Sequence, residues 1–238
     1  GLRVMLRELT AAIAKAEEEN WGYRRLVRRL AEMEANERLT RKVQRLLDDA
    51  ELPEEFTLET LDQREICEKP RRQLPTLLTG EFVRRGDNLL CFGMPGRGKS
   101  HYCAAIARHL LQQYQMKVWF VEGYKLVSTL LAAKADNDLP CFLEKLGKID
   151  IICVDDVGYV QHDAHEMEVL FTFIAERYKQ QRTLMLTSNL VFSEWEAIFK
   201  NPLTAMVAID RLIHRAIVLE FTRERSLRDE QFEQRQQP

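Results

Sequence analysis

The spacing of apolar positions along this chain changes near residue 88. Through the first 50 residues apolar side chains recur every three or four positions, uninterrupted by proline. Leu2, Leu6, Leu9 and Ile13 form one stripe, Leu26, Leu30 and Met33 a second, and Leu39, Val43, Leu46 and Leu47 a third; this spacing predicts helix throughout. An acidic, proline-punctuated connector follows from Leu52 to Asp62, and a short helix is expected from Leu74 to Phe82. Beyond it, short apolar runs take over: Asn88–Phe92, Lys117–Val121, Ile151–Val154, Thr183–Leu186 and Ala216–Leu219 read as buried strands. Between and after them, His101–Gln113, Leu126–Lys134, Cys141–Leu146, His165–Gln180, Ser193–Phe199 and Pro202–His214 read as helices. Strands alternating with helices predict an α/β fold, a parallel sheet between helices. The expected organisation is a helical N-terminal domain over residues 1–50 that binds DNA or a partner, a linker over 51–72, and the α/β domain over 73–238.

Composition and charge refine this picture. With 238 residues, 45% of them hydrophobic, the chain can build an ordinary α/β domain and an appendage. A formal net charge of −2 excludes a polycation, so any nucleic-acid surface must come from local clustering. One cluster is present. Arg24, Arg25, Arg28, Arg29, Arg38, Arg41, Lys42 and Arg45 stand against only Glu32, Glu34 and Glu37. The like-charge pairs Arg24/Arg28 and Arg25/Arg29 each cost roughly a few tenths of a kcal/mol unless an anion compensates. A solvated helix face is the plain reading, and contact of Arg24, Arg28, Arg38, Arg41, Lys42 and Arg45 with a DNA backbone the sharper one. The five cysteines include no C-x-x-C pair, which argues against a zinc site and for a reducing compartment. No apolar run approaches the ~18 residues of a membrane span, so a cytoplasmic protein is expected.

The chemistry concentrates at Gly93-Met94-Pro95-Gly96-Arg97-Gly98-Lys99-Ser100, a phosphate-loop pattern between a predicted strand and a predicted helix. A strand feeding a glycine-rich turn that opens a helix aims several backbone N–H groups at one point, which suits a triphosphate. Gly93, Pro95, Gly96, Arg97, Gly98, Lys99, Ser100 and His101 are therefore candidate ATP contacts. Lys99 would reach the β/γ-phosphates and the Ser100 hydroxyl would ligate Mg²⁺. The run Ile151–Val154 ends in two acids. Strand ends of this kind deliver a carboxylate beside the loop, making Asp155 an Mg²⁺ ligand and Asp156 the group that orients or deprotonates the attacking water. Asn189 or Thr187, at the end of the next strand, is the candidate for sensing the γ-phosphate, with helix capping as the competing use. His162 and His165 have metal-ligand spacing without an evident third ligand, and a polar loop is the better reading. A small-molecule kinase would need an acceptor pocket and a phosphate-clamping lid, and neither is legible. A nucleotide-dependent scaffold that hardly hydrolyses stays open.

The strings Val154-Asp155-Asp156-Val157-Gly158-Tyr159, Leu186-Thr187-Ser188-Asn189-Leu190 with Phe192-Ser193-Glu194-Trp195, and Ala208-Ile209-Asp210-Arg211-Leu212, in this order, resemble the IstB-like ATP-binding helper proteins of bacterial insertion sequences. That family belongs to the AAA+ class, close to the bacterial replicative helicase loaders. The resemblance implies a P-loop AAA+ core and a protein that binds duplex DNA, self-associates with ATP at subunit interfaces, hydrolyses ATP, and recruits and stimulates a transposase. It implies that Arg211 is an arginine finger for the neighbouring subunit and Arg228 a sensor facing the subunit's own nucleotide. It also implies that no C-terminal helical lid follows Leu219. Two positions depart from the family pattern: Asp156 stands where many relatives carry Glu, and Arg97 lies where a small or neutral residue is commoner. A helicase loader is the alternative reading, with the same ATPase core and a different client.

Overall fold

The computed structural model describes residues 1–62, 66–157, 164–190 and 210–221, and the chain divides into two units, Gly1–Asp48 and Asp49–Pro238. The first unit consists of α1 (Arg3–Glu18) and nearly all of α2 (Tyr23–Asp49). The expected continuous helix is broken at Asn20, whose φ of 56° is left-handed; asparagine tolerates that conformation better than most residues. The Trp21 N–H then closes on Ala16 O at 2.7 Å, and the chain turns back.

Leu2, which precedes α1, supplies no side-chain cap. The helix start is satisfied from α2 instead. Glu34, only 6% exposed, accepts the Val4 N–H at 2.8 Å and the Met5 N–H at 3.2 Å through Oε2, while its Oε1 takes Arg38 Nε at 3.0 Å. A carboxylate at a helix N-terminus meets both the unpaired amides and the positive end of the dipole. Burial raises the pKa of this carboxyl, but the two amides and Arg38 outweigh it and hold the group below its usual value.

In the second unit α3 (Glu68–Leu77) and α4 (Glu81–Arg85) precede the sheet. One helix was expected from Leu74 to Phe82. Two form because Gly80, at φ 71°, caps the turn between them in the left-handed region. The sheet is built from β1 (Asn88–Phe92), β2 (Val118–Glu122), β3 (Ile151–Asp155), β4 (Thr183–Ser188) and β5 (Ala216–Glu220). All its pairings are parallel, in the order β2-β3-β4-β1-β5. Helices α5 (Lys99–Tyr114), α6 (Gly123–Ala135), α7 (Leu139–Gly147) and α8 (Ala164–Lys179) connect or follow the strands.

Because successive strand residues face opposite sides, the sheet has two cores. Leu90, Phe92, Val121, Ile152, Val154, Leu184 and Leu186 pack with α6, α7 and α8. On the other face α5 covers Cys91, with the Cys103 and Cys91 sulfurs 3.5 Å apart, both thiols free. Here cysteines act as small buried hydrophobes.

Arg177 locks the amino edge of the sheet. It is 2% exposed, and its guanidinium donates to Leu146 O, Ile149 O, Asp150 O and Thr183 O at 2.6–3.2 Å. Burial, with Arg182 nearby, pushes its pKa down to about 9, so it is still charged at neutral pH and tethers the segment entering β3 to the start of β4.

Among the described residues no helix is long and apolar enough to cross a membrane. The expected helix Ser193–Phe199, most of Pro202–His214, His162, Arg228 and the segment bearing on a C-terminal lid lie outside the described residues.

The Glu34 contact predicts a pH dependence. Its carboxyl is depressed in the folded chain, so its contribution is present above the ordinary carboxylate value of about 4.3 and is lost as pH falls through the lower folded value. Glu34→Gln should speed amide exchange in α1 at pH 7, measured by mass spectrometry of α1 peptides. The gap from wild type at matched pH should shrink as acid protonates the wild-type carboxyl. A gap that stays constant into strong acid would show that the charge is not what caps α1.

Candidate nucleotide site

The parallel sheet brings the carboxyl ends of β1, β3 and β4 to one edge, and the candidate residues follow from that edge. β1 is buried along its whole length and runs directly into the loop. Gly93 adopts φ 141°, and a Cβ there would lie 2.5 Å from Phe221 O, so only glycine permits the chain to leave the strand at this point. Gly98, at φ 79°, opens α5 without a side-chain cap, so no capping side chain stands between the helix N-terminus and an anion.

Arg97 is the clearest test of what the loop fits. It is 6% exposed, and its Nε and Nη1 are buried without a hydrogen-bond partner. A buried cation with unpaired donors is costly unless an anion meets it. Together with the uncapped α5, it fits a polyphosphate.

Lys99 is 5% exposed, and its ammonium donates to Gly93 O at 2.6 Å, Met94 O at 2.8 Å and Asn189 Oδ1 at 2.8 Å. Asn189 in turn donates through Nδ2 to Asp156 Oδ1 at 2.7 Å. One amide therefore bridges the loop lysine and the acid that follows β3. Thr187 is occupied differently: its hydroxyl donates to Asp155 Oδ1 at 2.6 Å and accepts the Asp156 N–H at 2.8 Å. The Thr187 carbonyl also accepts the Val157 N–H at 2.9 Å. Asp156 itself sits at φ 56°, an uncommon conformation for a residue with a Cβ, held by these contacts on both sides.

Asp155 ends β3, and Ser100 lies half-buried in the first turn of α5. Among the described residues no group of three or more His, Cys, Asp or Glu gathers. An Mg²⁺ at this edge would therefore take most of its ligands from phosphate and water, as that ion commonly does.

Other sequence-derived candidates lie elsewhere. His101 points to the connector: its Nε2 is 3.0 Å from both Thr60 Oγ1 and Thr57 O, and its ring stacks on Phe56 at 4.8 Å. Arg108 holds the same segment through Leu52 O, Pro53 O and Phe56 O, a role the sequence did not signal. Arg211 is at the opposite edge of the sheet, lining a cavity with Asn88, the first residue of β1. The basic residues of α2 are exposed. Arg38 pairs with Glu34 at 3.0 Å and Arg41 with Glu37 at 2.8 Å, whereas Arg24, Arg28 and Arg45 make no ion pair among the described residues.

Comparison with known proteins agrees with this geometry. The chain matches the family model of IstB-like ATP binding proteins over residues 1–235. It is 36% identical over 207 residues to an insertion sequence ATP-binding protein of Sinorhizobium fredii, covering 87% of this chain and 69% of that protein. Among solved structures the DnaC helicase loader superimposes with a TM-score of 0.57 at 16% identity, over 65% of this chain and 89% of that one. AMPPCP-bound DnaA from Aquifex aeolicus gives 0.59 at 15% identity, over 78% of this chain and 55% of that one. These two likenesses concern the fold, that of the P-loop AAA+ class. With its phosphate loop set between β1 and α5 and its match along nearly the whole sequence, the chain belongs to the IstB-like ATP-binding protein family of insertion sequences.

Proposed function

We propose that this protein is an ATP-dependent DNA-binding helper for transposition, one that self-associates on duplex DNA, hydrolyses ATP and recruits a transposase. The observation that carries the reading is the division of the candidate ATPase groups between the two edges of one sheet. Lys99, Asp155, Asp156 and Asn189 share the carboxyl edge, while Arg211 lies at the amino edge with Asn88. β1 spans about 16 Å at 3.3 Å per residue, which is too far for Arg211 to reach its own loop. In this reading a second copy brings it there.

In this reading Lys99 exchanges the Gly93 and Met94 carbonyls for β/γ-phosphate oxygens, and Arg97 supplies its unpaired donors. Ser100 and Asp155 would hold Mg²⁺, which would offset charge on the phosphates when bound. Thr187 keeps Asp155 in one orientation. Asp156 accepts a proton from the attacking water, and Asn189, released from Lys99, becomes free to meet the γ-phosphate. Arg211 of one copy offsets charge developing on the neighbour's transferring phosphoryl. The first unit is the DNA- or partner-binding domain. At 100° per residue, Arg24, Arg28, Arg38, Lys42 and Arg45 fall within an arc of about 100° on α2, suited to tracking a phosphate backbone.

Three outcomes test this reading. Lys99→Ala should lose ATP affinity and ATP-dependent assembly, read by nucleotide titration and sedimentation; near-normal affinity would remove the loop from nucleotide binding.

Arg211→Ala and Asp156→Asn should each bind ATP and hydrolyse it poorly, with a loss of roughly 10³-fold where such fingers act fully. Mixing the two should restore part of the turnover, because some interfaces then pair an intact site with an intact finger. Mixed assemblies without recovery would exclude action in trans.

Duplex DNA affinity should fall with salt at a log–log slope of roughly −0.9 per phosphate contact. Replacing Arg24, Arg28 and Arg45 with Gln should flatten that slope, and an unchanged slope would leave the α2 face merely solvated.

A further inference from the structure

Arg211 is not alone at the amino edge. Its cavity, of about 210 Å³, is also lined by Arg215, Lys179, Arg182, Tyr178 and Asn88. Four cations therefore converge on a space several times the roughly 30 Å³ that one water occupies in the liquid, and no carboxylate is among its lining residues. Two of the cations are already offset: Arg182 Nη1 is 2.5 Å from Asp150 Oδ1, and Lys179 Nζ is 3.6 Å from Glu176 Oε1. Neither Arg211 nor Arg215 has an ion-pair partner among the described residues. Four residues apart, Arg211 lies in the helical turn over residues 210–213 and Arg215 two residues beyond it, and both line the same cavity.

The backbone carrying them is held firmly. Asn88 Nδ2 donates to Leu212 O at 3.0 Å, and the Asn88 N–H donates to Arg215 O at 2.6 Å. Leu212 is 2% exposed in the core, and His214 meets the Tyr178 ring edge-on at 6.1 Å. Rigid backbone with unpaired side-chain charge is the arrangement expected of a preformed anion seat. Lone surface arginines would not need the first residue of β1 to anchor them.

We infer that this cavity seats the terminal phosphates of the ATP bound to a neighbouring copy, with Arg215 as a second phosphate contact beside Arg211 and Lys179 completing the cationic wall. The inference rests on the proposed ATP-bridged self-association and names a residue that reading did not require. It also gives β1 two duties: its carboxyl end leads into the loop for its own nucleotide, while its amino end fixes the groups offered to the neighbour's.

The test uses the full chain with Arg215→Gln, Arg215→Lys and Lys179→Gln, followed by sedimentation in Mg²⁺-ATP and in Mg²⁺-ADP. Arg215→Gln should need about tenfold more protein to assemble in ATP, the scale of losing one charge-assisted phosphate contact. Arg215→Lys should recover much of that, and the thermal midpoint should not move. Lys179→Gln, on a side chain 76% exposed, should shift assembly in the same direction with little risk to folding. Wild-type assembly by both Gln variants would overturn the inference while leaving the ATPase reading in place. Normal assembly combined with weaker nucleotide-free binding to duplex DNA would also overturn it, assigning the cavity to backbone phosphate instead. Wild-type protein of one size with and without ATP would overturn the self-association reading, and the inference with it.

Discussion

Five buried residues, Asn88–Phe92, hydrogen-bonded in parallel to β4 on one side and β5 on the other, are what the site depends on. A parallel sheet collects the carboxyl ends of its strands at one edge. That single geometric fact brings Gly93, Asp155 and Asn189 together although long stretches of chain separate them. It also consigns Asn88 and Arg211 to the other edge. If β1 were shifted by one residue, every side chain on it would change face, and the loop would no longer meet Ser188 O, which accepts the Gly93 N–H at 3.2 Å.

The polar groups at the carboxyl edge orient one another. Asp155 is oriented by Thr187 and Asp156 by Asn189, while Lys99 is held by two loop carbonyls and the same asparagine. Holding the two carboxylates in fixed orientations lowers the cost of reorganising them during reaction, whereas Lys99 and Asn189 exchange partners in the proposed mechanism. Arg97 is the exception. Its Nε and Nη1 are buried without a partner, and a buried cation with unpaired donors is costly until an anion meets it.

The two units are stabilised by different means. The core buries apolar side chains on both faces of the sheet. The N-terminal helices bury few, Val4, Ala16 and Leu30 among them, and leave Leu2, Leu6 and Val27 exposed. There a single carboxylate, Glu34, does much to organise the hairpin. Arg177 serves a comparable purpose in the core, gathering the carbonyls of Leu146, Ile149, Asp150 and Thr183 around one guanidinium.

Much of the architecture was legible in the sequence, because buried parallel strands write themselves as short apolar runs and the phosphate loop as an octapeptide with its own backbone logic. The strand positions, their alternation with helices and the place of Gly93–Ser100 all follow from local rules. Where local signals are weak, the reading blurred. Asn20 and Gly80 break helices that apolar spacing alone would have continued, since one left-handed residue costs little and leaves the stripe intact. Whether Thr187 or Asn189 faces Lys99 was undecidable from sequence: two positions apart, they share a face by strand periodicity, and two polar residues near a strand end look alike until neighbours are known. The same holds for His101, drawn to Phe56 and Thr60, and for Arg211 and Arg215, ordinary arginines in a chain rich in them. Their gathering around one cavity is a long-range consequence of the fold, and pairwise distance between residues far apart in the chain is something only tertiary structure decides.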